Sequence, residues 1–186
     1  MALTESNMLP LGAALPDFSL PDSRTGKTVA NTDYAGTPVM VVFMCNHCPF
    51  VVHLLDGLAA AARDFQAQGV SVLAISSNDV STHPADSPER MAELAQEHGF
   101  DFPYAFDESQ AIARAFDAAC TPDFYLFDSG GKLVYRGQFD GARPGNAVAV
   151  TGEDLRAAVD ALVAGATISS SQKPSIGCSI KWRAVG

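Results

Sequence analysis

Basic residues are scarce in this chain: 12 lysines and arginines stand against 21 aspartates and glutamates, a formal net charge of -9. Such a surface repels phosphate backbones, which removes nucleic acid from the expected partners, and the charge is read as an ordinary solvated surface. Long apolar runs are missing too. None reaches the ~20 residues of a bilayer-crossing helix, so no membrane partner is expected. Residues 1–12 lack a basic segment followed by an apolar one, so no export signal is expected and the cytoplasm is the expected location. There a structural disulfide framework is not expected, and a Cys-x-x-Cys pair points to redox or metal chemistry. No internal repeat occurs, and the only biased tract is the serine-rich linker over 169–175.

What the chain does have is apolar material, 47% of its 186 residues. That suits one domain spanning 1–186, with a core over about 15–165 and a C-terminal tail over 166–186. Residues 1–15 are expected to be flexible. Short strands are predicted over 17–20 and 27–30, around a turn-rich segment. The run 38–44 is apolar throughout, as in a strand covered on both faces. Val51, Leu54, Leu55, Leu58, Ala62 and Phe65 recur at helical spacing over 49–66, and Gly69 ends that helix. A second strand follows over 70–75. Ser87 before Pro88 is a helix start, and 109–116 gives a shorter helix. Strands over 123–127 and 132–138 flank a Gly-containing turn, and 153–164 is the last helix. The apolar segment 176–182 after the linker is expected to dock. The pattern predicts an α/β fold: a central mixed sheet flanked by helices on both faces, with an N-terminal hairpin extension and a docked tail.

The chemistry-bearing feature is Cys45-Asn46-His47-Cys48, between the apolar strand and a helix start. Reactive groups of such sheets gather at the carboxyl ends of the parallel strands. Cys45 is expected to be the exposed, attacking thiol and Cys48 the more buried partner one turn inside the helix. The helix N-terminus, unpaired backbone N–H groups and a protonated His47 should lower the Cys45 pKa to roughly 4–7. Cys45 would attack a disulfide, form a mixed disulfide, and be resolved by Cys48. The alternatives are that Cys45 and Cys48 with His47 or His53 bind copper(I) or zinc, or that the thiols are small buried hydrophobes.

These residues resemble the thioredoxin superfamily, above all its peroxiredoxin-like (AhpC/TSA) and ResA-like branch. The resemblance also covers Leu15-Pro16-Asp17-Phe18-Ser19-Leu20-Pro21, Cys120-Thr121-Pro122-Asp123-Phe124-Tyr125-Leu126-Phe127-Asp128 and Gly131-Lys132-Leu133-Val134-Tyr135-Arg136-Gly137. It implies a thioredoxin-like fold with a cis proline at Pro122 facing the dithiol. It also implies that Thr121 and Pro122 bind substrate, Thr121 presenting its backbone to an incoming peptide strand.

Departures qualify what carries over. Val39 stands where thioredoxins keep a buried Asp, so no proton shuttle lies in that strand. Asp79 or Asn78 is the candidate replacement, with a turn-capping role for Asp79 as the plainer reading. The peroxiredoxin Pro-x-x-x-Thr-x-x-Cys pattern would put its reactive Cys on Cys48, with Cys45 and Val41 in place of Thr and Pro. Those mismatches, and an Arg that only Arg136 or Arg143 could replace, argue against efficient peroxide reduction. Cys120 is an auxiliary redox candidate by its closeness to Pro122. Cys178, in the tail, is a candidate resolving cysteine for the site or for a second subunit; a buried, inert thiol is the alternative for each. The expected function is thiol–disulfide oxidoreduction, with a thiol peroxidase as alternative. No cofactor or metal is expected, electrons coming from an external dithiol such as a thioredoxin-type reductant. The substrate would be a protein or small-molecule disulfide, or a hydroperoxide, and the protein a monomer or homodimer.

Overall fold

The computed structural model describes residues 3–184. Its strands are β1 (Leu3–Glu5), β2 (Ser19–Pro21), β3 (Thr28–Ala30), β4 (Val39–Phe43), β5 (Ser71–Ser76), β6 (Tyr104–Phe106), β7 (Cys120–Thr121), β8 (Asp123–Phe127), β9 (Leu133–Gly137) and β10 (Ile176–Ser179). Its helices are α1 (Pro49–Ala67), α2 (Pro88–Glu97), α3 (Ala111–Ala115) and α4 (Glu153–Val163). A five-stranded sheet runs in the order β6-β5-β4-β8-β9. β4, β5 and β6 are parallel, while β8 runs antiparallel to both β4 and β9. This is the mixed sheet the sequence predicts.

Strand β4 explains why the core divides in two. Side chains alternate across a sheet, so Met40 and Val42 face one layer while Val39, Val41 and Phe43 face the other. The first layer packs on Leu54, Leu55, Leu58 and Phe65 of α1 and on Leu155 and Val159 of α4. The second packs on Phe116, with Tyr125 and Phe127 from β8. All five residues of β4 are buried, which accounts for its unbroken apolar run. Helix α2 starts as expected, with Ser87 Oγ accepting from the Arg90 amide and Pro88 at its first position.

The chain ends differ from expectation. Residues 1 and 2 lie outside the described residues, and 3–15 are not loose: β1 pairs with β10, and Leu9, Ala13 and Leu15 pack on the second core layer. A separate three-stranded sheet, β1-β10-β7, joins the two ends of the chain to the segment just before Pro122. The predicted β2–β3 hairpin forms, with Leu20 opposite Val29. Two glycines allow the tail to lie close. A Cβ on Gly177 would sit 1.9 Å from the Thr121 carbonyl oxygen, and one on Gly137 would sit 2.1 Å from that of Lys173. Neither approach admits a side chain.

Candidate active site

The dithiol loop leaves β4 and enters α1. Met44 N–H still donates to Ile75 O at 2.9 Å, extending the parallel ladder up to Cys45. Cys48 is the residue capping α1, with Pro49 in the first turn, where its missing N–H leaves no donor unsatisfied. A turn over 84–86 clamps the loop. Asp86 is fully buried, and its carboxylate accepts from the Asn46 amide and from Asn78 Nδ2, each at 2.8 Å. Asn46 returns a bond from Nδ2 to Ala85 O and accepts from the Tyr104 hydroxyl. His47 Nδ1 lies 2.8 Å from Asp86 Oδ2, an ion-pair distance not aligned for a hydrogen bond, and its ring stacks on His83.

Both sulfurs are buried. Cys45 is 1% exposed and Cys48 is inaccessible, so Cys45 is not the exposed thiol. Cys45 lies against the Asp86 carboxylate, and its thiol is pushed up by its hydrogen bond to Cys48, by burial and by that negative charge. Cys48 is instead pulled down to about 4. The Cys45 S–H is the largest cause. The Cys178 S–H, the Val51 amide and Thr121 add to it, against the opposing effect of burial. Its place at the helix start adds to the effects that lower the Cys48 pKa.

Thr121 and Pro122 do meet the dithiol, and the bond between them is cis. Thr121 Oγ1 is 3.5 Å from Cys45 Sγ, and Thr121 O is 3.2 Å from Cys48 Sγ. The open peptide-binding edge predicted at Thr121 is absent, because β10 occupies it. Cys178 pairs opposite Thr121 and Ser179 opposite Cys120. That register brings Cys178 Sγ to 2.9 Å from Cys48 Sγ. Burial, then the contact with Cys48, pushes the Cys178 thiol up. Cys120 is fully buried beside Asp123; burial, then that neighbouring charge, raises its pKa, as for an inert thiol.

The predicted shuttle is displaced. Asp79 Oδ1 accepts from the Ser81 amide and hydroxyl and faces Arg183, the turn-capping role. Sequence reasoning missed two carboxyls. Asp86 gave no signal, since it precedes the Ser87 helix start as any loop residue would. Asp123 did give one, as the acid opening the otherwise apolar strand that follows Pro122. Burial raises its pKa to about 7, although Tyr125 and Ser6 hydroxyls donate to it at 2.9 Å.

A family model described as the AhpC/TSA family matches residues 11–136, more than half of the sequence. The chain belongs to the AhpC/TSA family. Among solved structures, it is similar to an uncharacterized conserved protein from Geobacillus kaustophilus (50% identity, 100% of this chain, 99% of that one, TM-score 0.97). It is also similar to a hypothetical protein from Sinorhizobium meliloti 1021 (47% identity, 98% and 100%, TM-score 0.95). A secreted disulfide oxidoreductase from Mycobacterium tuberculosis shares the fold (16% identity, 78% and 96%, TM-score 0.61). No curated protein matches. This AhpC/TSA protein therefore shares its fold with a disulfide oxidoreductase.

The arginines named for a peroxidase role are engaged elsewhere in this family member. Arg136 donates to Leu9 O and Gln172, and Arg143 to Gln138 and to the Asp140 and Ala142 carbonyls. Donor atoms of Cys45, His47 and Asp86 lie within 4.8 Å of one another. Asp86 already holds Asn46 and Asn78, and Cys45 engages Thr121, so these groups are committed to hydrogen bonds and metal binding is not favoured. Exposed His53 lies outside this cluster. No helix among the described residues is long and apolar enough to cross a membrane.

Proposed function

We propose that this protein is a thiol–disulfide oxidoreductase in which Cys48, not Cys45, makes the attack. What supports the reading is the placement of Cys48 Sγ at the start of α1, 2.9 Å from Cys178 Sγ and beside cis Pro122, with its pKa lowered there. The thiolate attacks one sulfur of a substrate disulfide, forms the mixed disulfide and releases the second sulfur as a thiolate, which takes a proton from solvent. Cys45 then gives up its proton and attacks Cys48 Sγ. That closes the Cys45–Cys48 disulfide and releases the reduced substrate. His47, half-buried beside Cys45, is the group suited to receive the Cys45 proton. An external dithiol of the thioredoxin type, in a cytoplasmic setting, returns the pair to the reduced state.

A thiol peroxidase is the second reading, and burial of both sulfurs favours it, since a small oxidant enters where a protein loop does not. There Cys48 thiolate takes one oxygen from hydrogen peroxide, giving a sulfenic acid and hydroxide, and a neighbouring thiol condenses with it to release water. Stopped-flow oxidation separates the two. The oxidoreductase reading expects fast reaction with a small-molecule disulfide and slow reaction with micromolar peroxide. The reverse order supports the peroxidase, and failure to form an intramolecular disulfide with either oxidant contradicts both.

A further inference from the structure

A strand that docks on Thr121 with a sulfur at the dithiol is what a disulfide substrate would supply, and the chain supplies one from its own tail. β10 pairs antiparallel with β7, β1 closes its other edge, and Gly177 lets its backbone lie against Thr121. The Ser6 hydroxyl accepts from Ser175 N–H at 2.9 Å, while Ser6 N–H donates to Ser175 O, fixing the strand's entry. Cys178 thus reaches Cys48 through the pairing of β10 with β7. Main-chain pairing for affinity and one side chain for chemistry is the logic of strand addition.

We propose that β10 is a built-in substrate strand and that Cys48 is a pivot between two disulfides, Cys45–Cys48 and Cys48–Cys178. The proposal rests on the oxidoreductase reading above and adds a third thiol to it. Starting from the Cys45–Cys48 disulfide, Cys178 loses its proton and attacks Cys48 Sγ. The Cys48–Cys178 bond forms, the Cys45–Cys48 bond breaks, and Cys45 leaves as a thiolate that takes up the proton. The exchange is an isomerisation: one disulfide and one thiol on each side, with no external oxidant.

The test is disulfide mapping on the full-length chain. Reduced wild type, Cys178→Ser, Cys45→Ser and Cys45→Ala are oxidised with glutathione disulfide, quenched with an alkylating agent at low pH, digested and analysed by mass spectrometry. Thermal melts identify which variants are folded. Wild type should yield both linked peptide pairs, Cys178→Ser only Cys45–Cys48, and the Cys45 variants only Cys48–Cys178. Absence of the Cys48–Cys178 pair from wild type and from every folded Cys45 variant overturns the pivot. If Cys178→Ser then still closes Cys45–Cys48, the oxidoreductase reading survives alone. If no variant closes any bond, both fall.

Discussion

The two sheets of this molecule are built in opposite ways. Four of the five strands in the larger sheet carry their own signature, an apolar run or a glycine turn that marks them wherever they occur. The smaller sheet, β1-β10-β7, has three short strands that mean nothing until the chain ends meet. Its strands hold two to four residues each, and their pairing spans nearly the whole sequence. The larger sheet positions the dithiol at the carboxyl end of its central strand; the smaller one closes over it. Local pattern builds the scaffold, and long-range pairing sets access to the chemistry.

Removing the shared sulfur breaks that division most severely. Cys48→Ser should abolish disulfide exchange, a loss on the order of a thousandfold or more, while Cys45→Ser retains the first attack and accumulates mixed disulfide unless Cys178 resolves it. Turnover with a small-molecule disulfide and mass analysis of trapped adducts check both. Gly177→Ala tests the smaller sheet. Its methyl has no room at 1.9 Å from Thr121 O, so β10 must shift. A cost of about 1–3 kcal/mol is expected, read by chemical denaturation, together with faster alkylation of Cys48 as the cover loosens. Unchanged stability and reactivity would show that the tail does not gate the site.

The same contrast governs what was legible beforehand. The mixed sheet, the helix stripe on α1 and the Ser87 cap followed from periodicity and capping chemistry. The dithiol was found from its position between β4 and α1. What surrounds each sulfur was not, because Asp86, Thr121 and Cys178 lie 38, 73 and 130 residues from Cys48 and come to the dithiol only through the fold. The docking of 176–182 was foreseen from its apolar residues. Its strand pairing was not, since Ile176-Gly177-Cys178-Ser179 has neither alternation nor length. Strand β6 was missed for the same reason: three residues, all buried.

Asp123 sharpens the comparison more gently, since it lies where the two sheets join and bonds to Ser6 at the base of β1. Its pKa is raised from 3.8 to about 7 by burial, so the folded state favours the protonated acid. Stability from this group is fully present below the unfolded value near 4 and is lost as pH rises through 7. Asp123→Asn should therefore flatten the fall of the melting temperature between pH 4 and 7, by a few degrees at most. An unchanged slope would place the ionised carboxylate in the folded state.

The claim on which the rest depends is that the negative charge sits on Cys48. Its most direct measurement is the pH dependence of alkylation of reduced protein by iodoacetamide, resolved by peptide. Cys48 modification should follow a thiolate with a midpoint well below the ordinary thiol value of 9.0. Cys45 should remain unmodified below that value. A Cys48 midpoint near 9, or a low midpoint on Cys45, would contradict it.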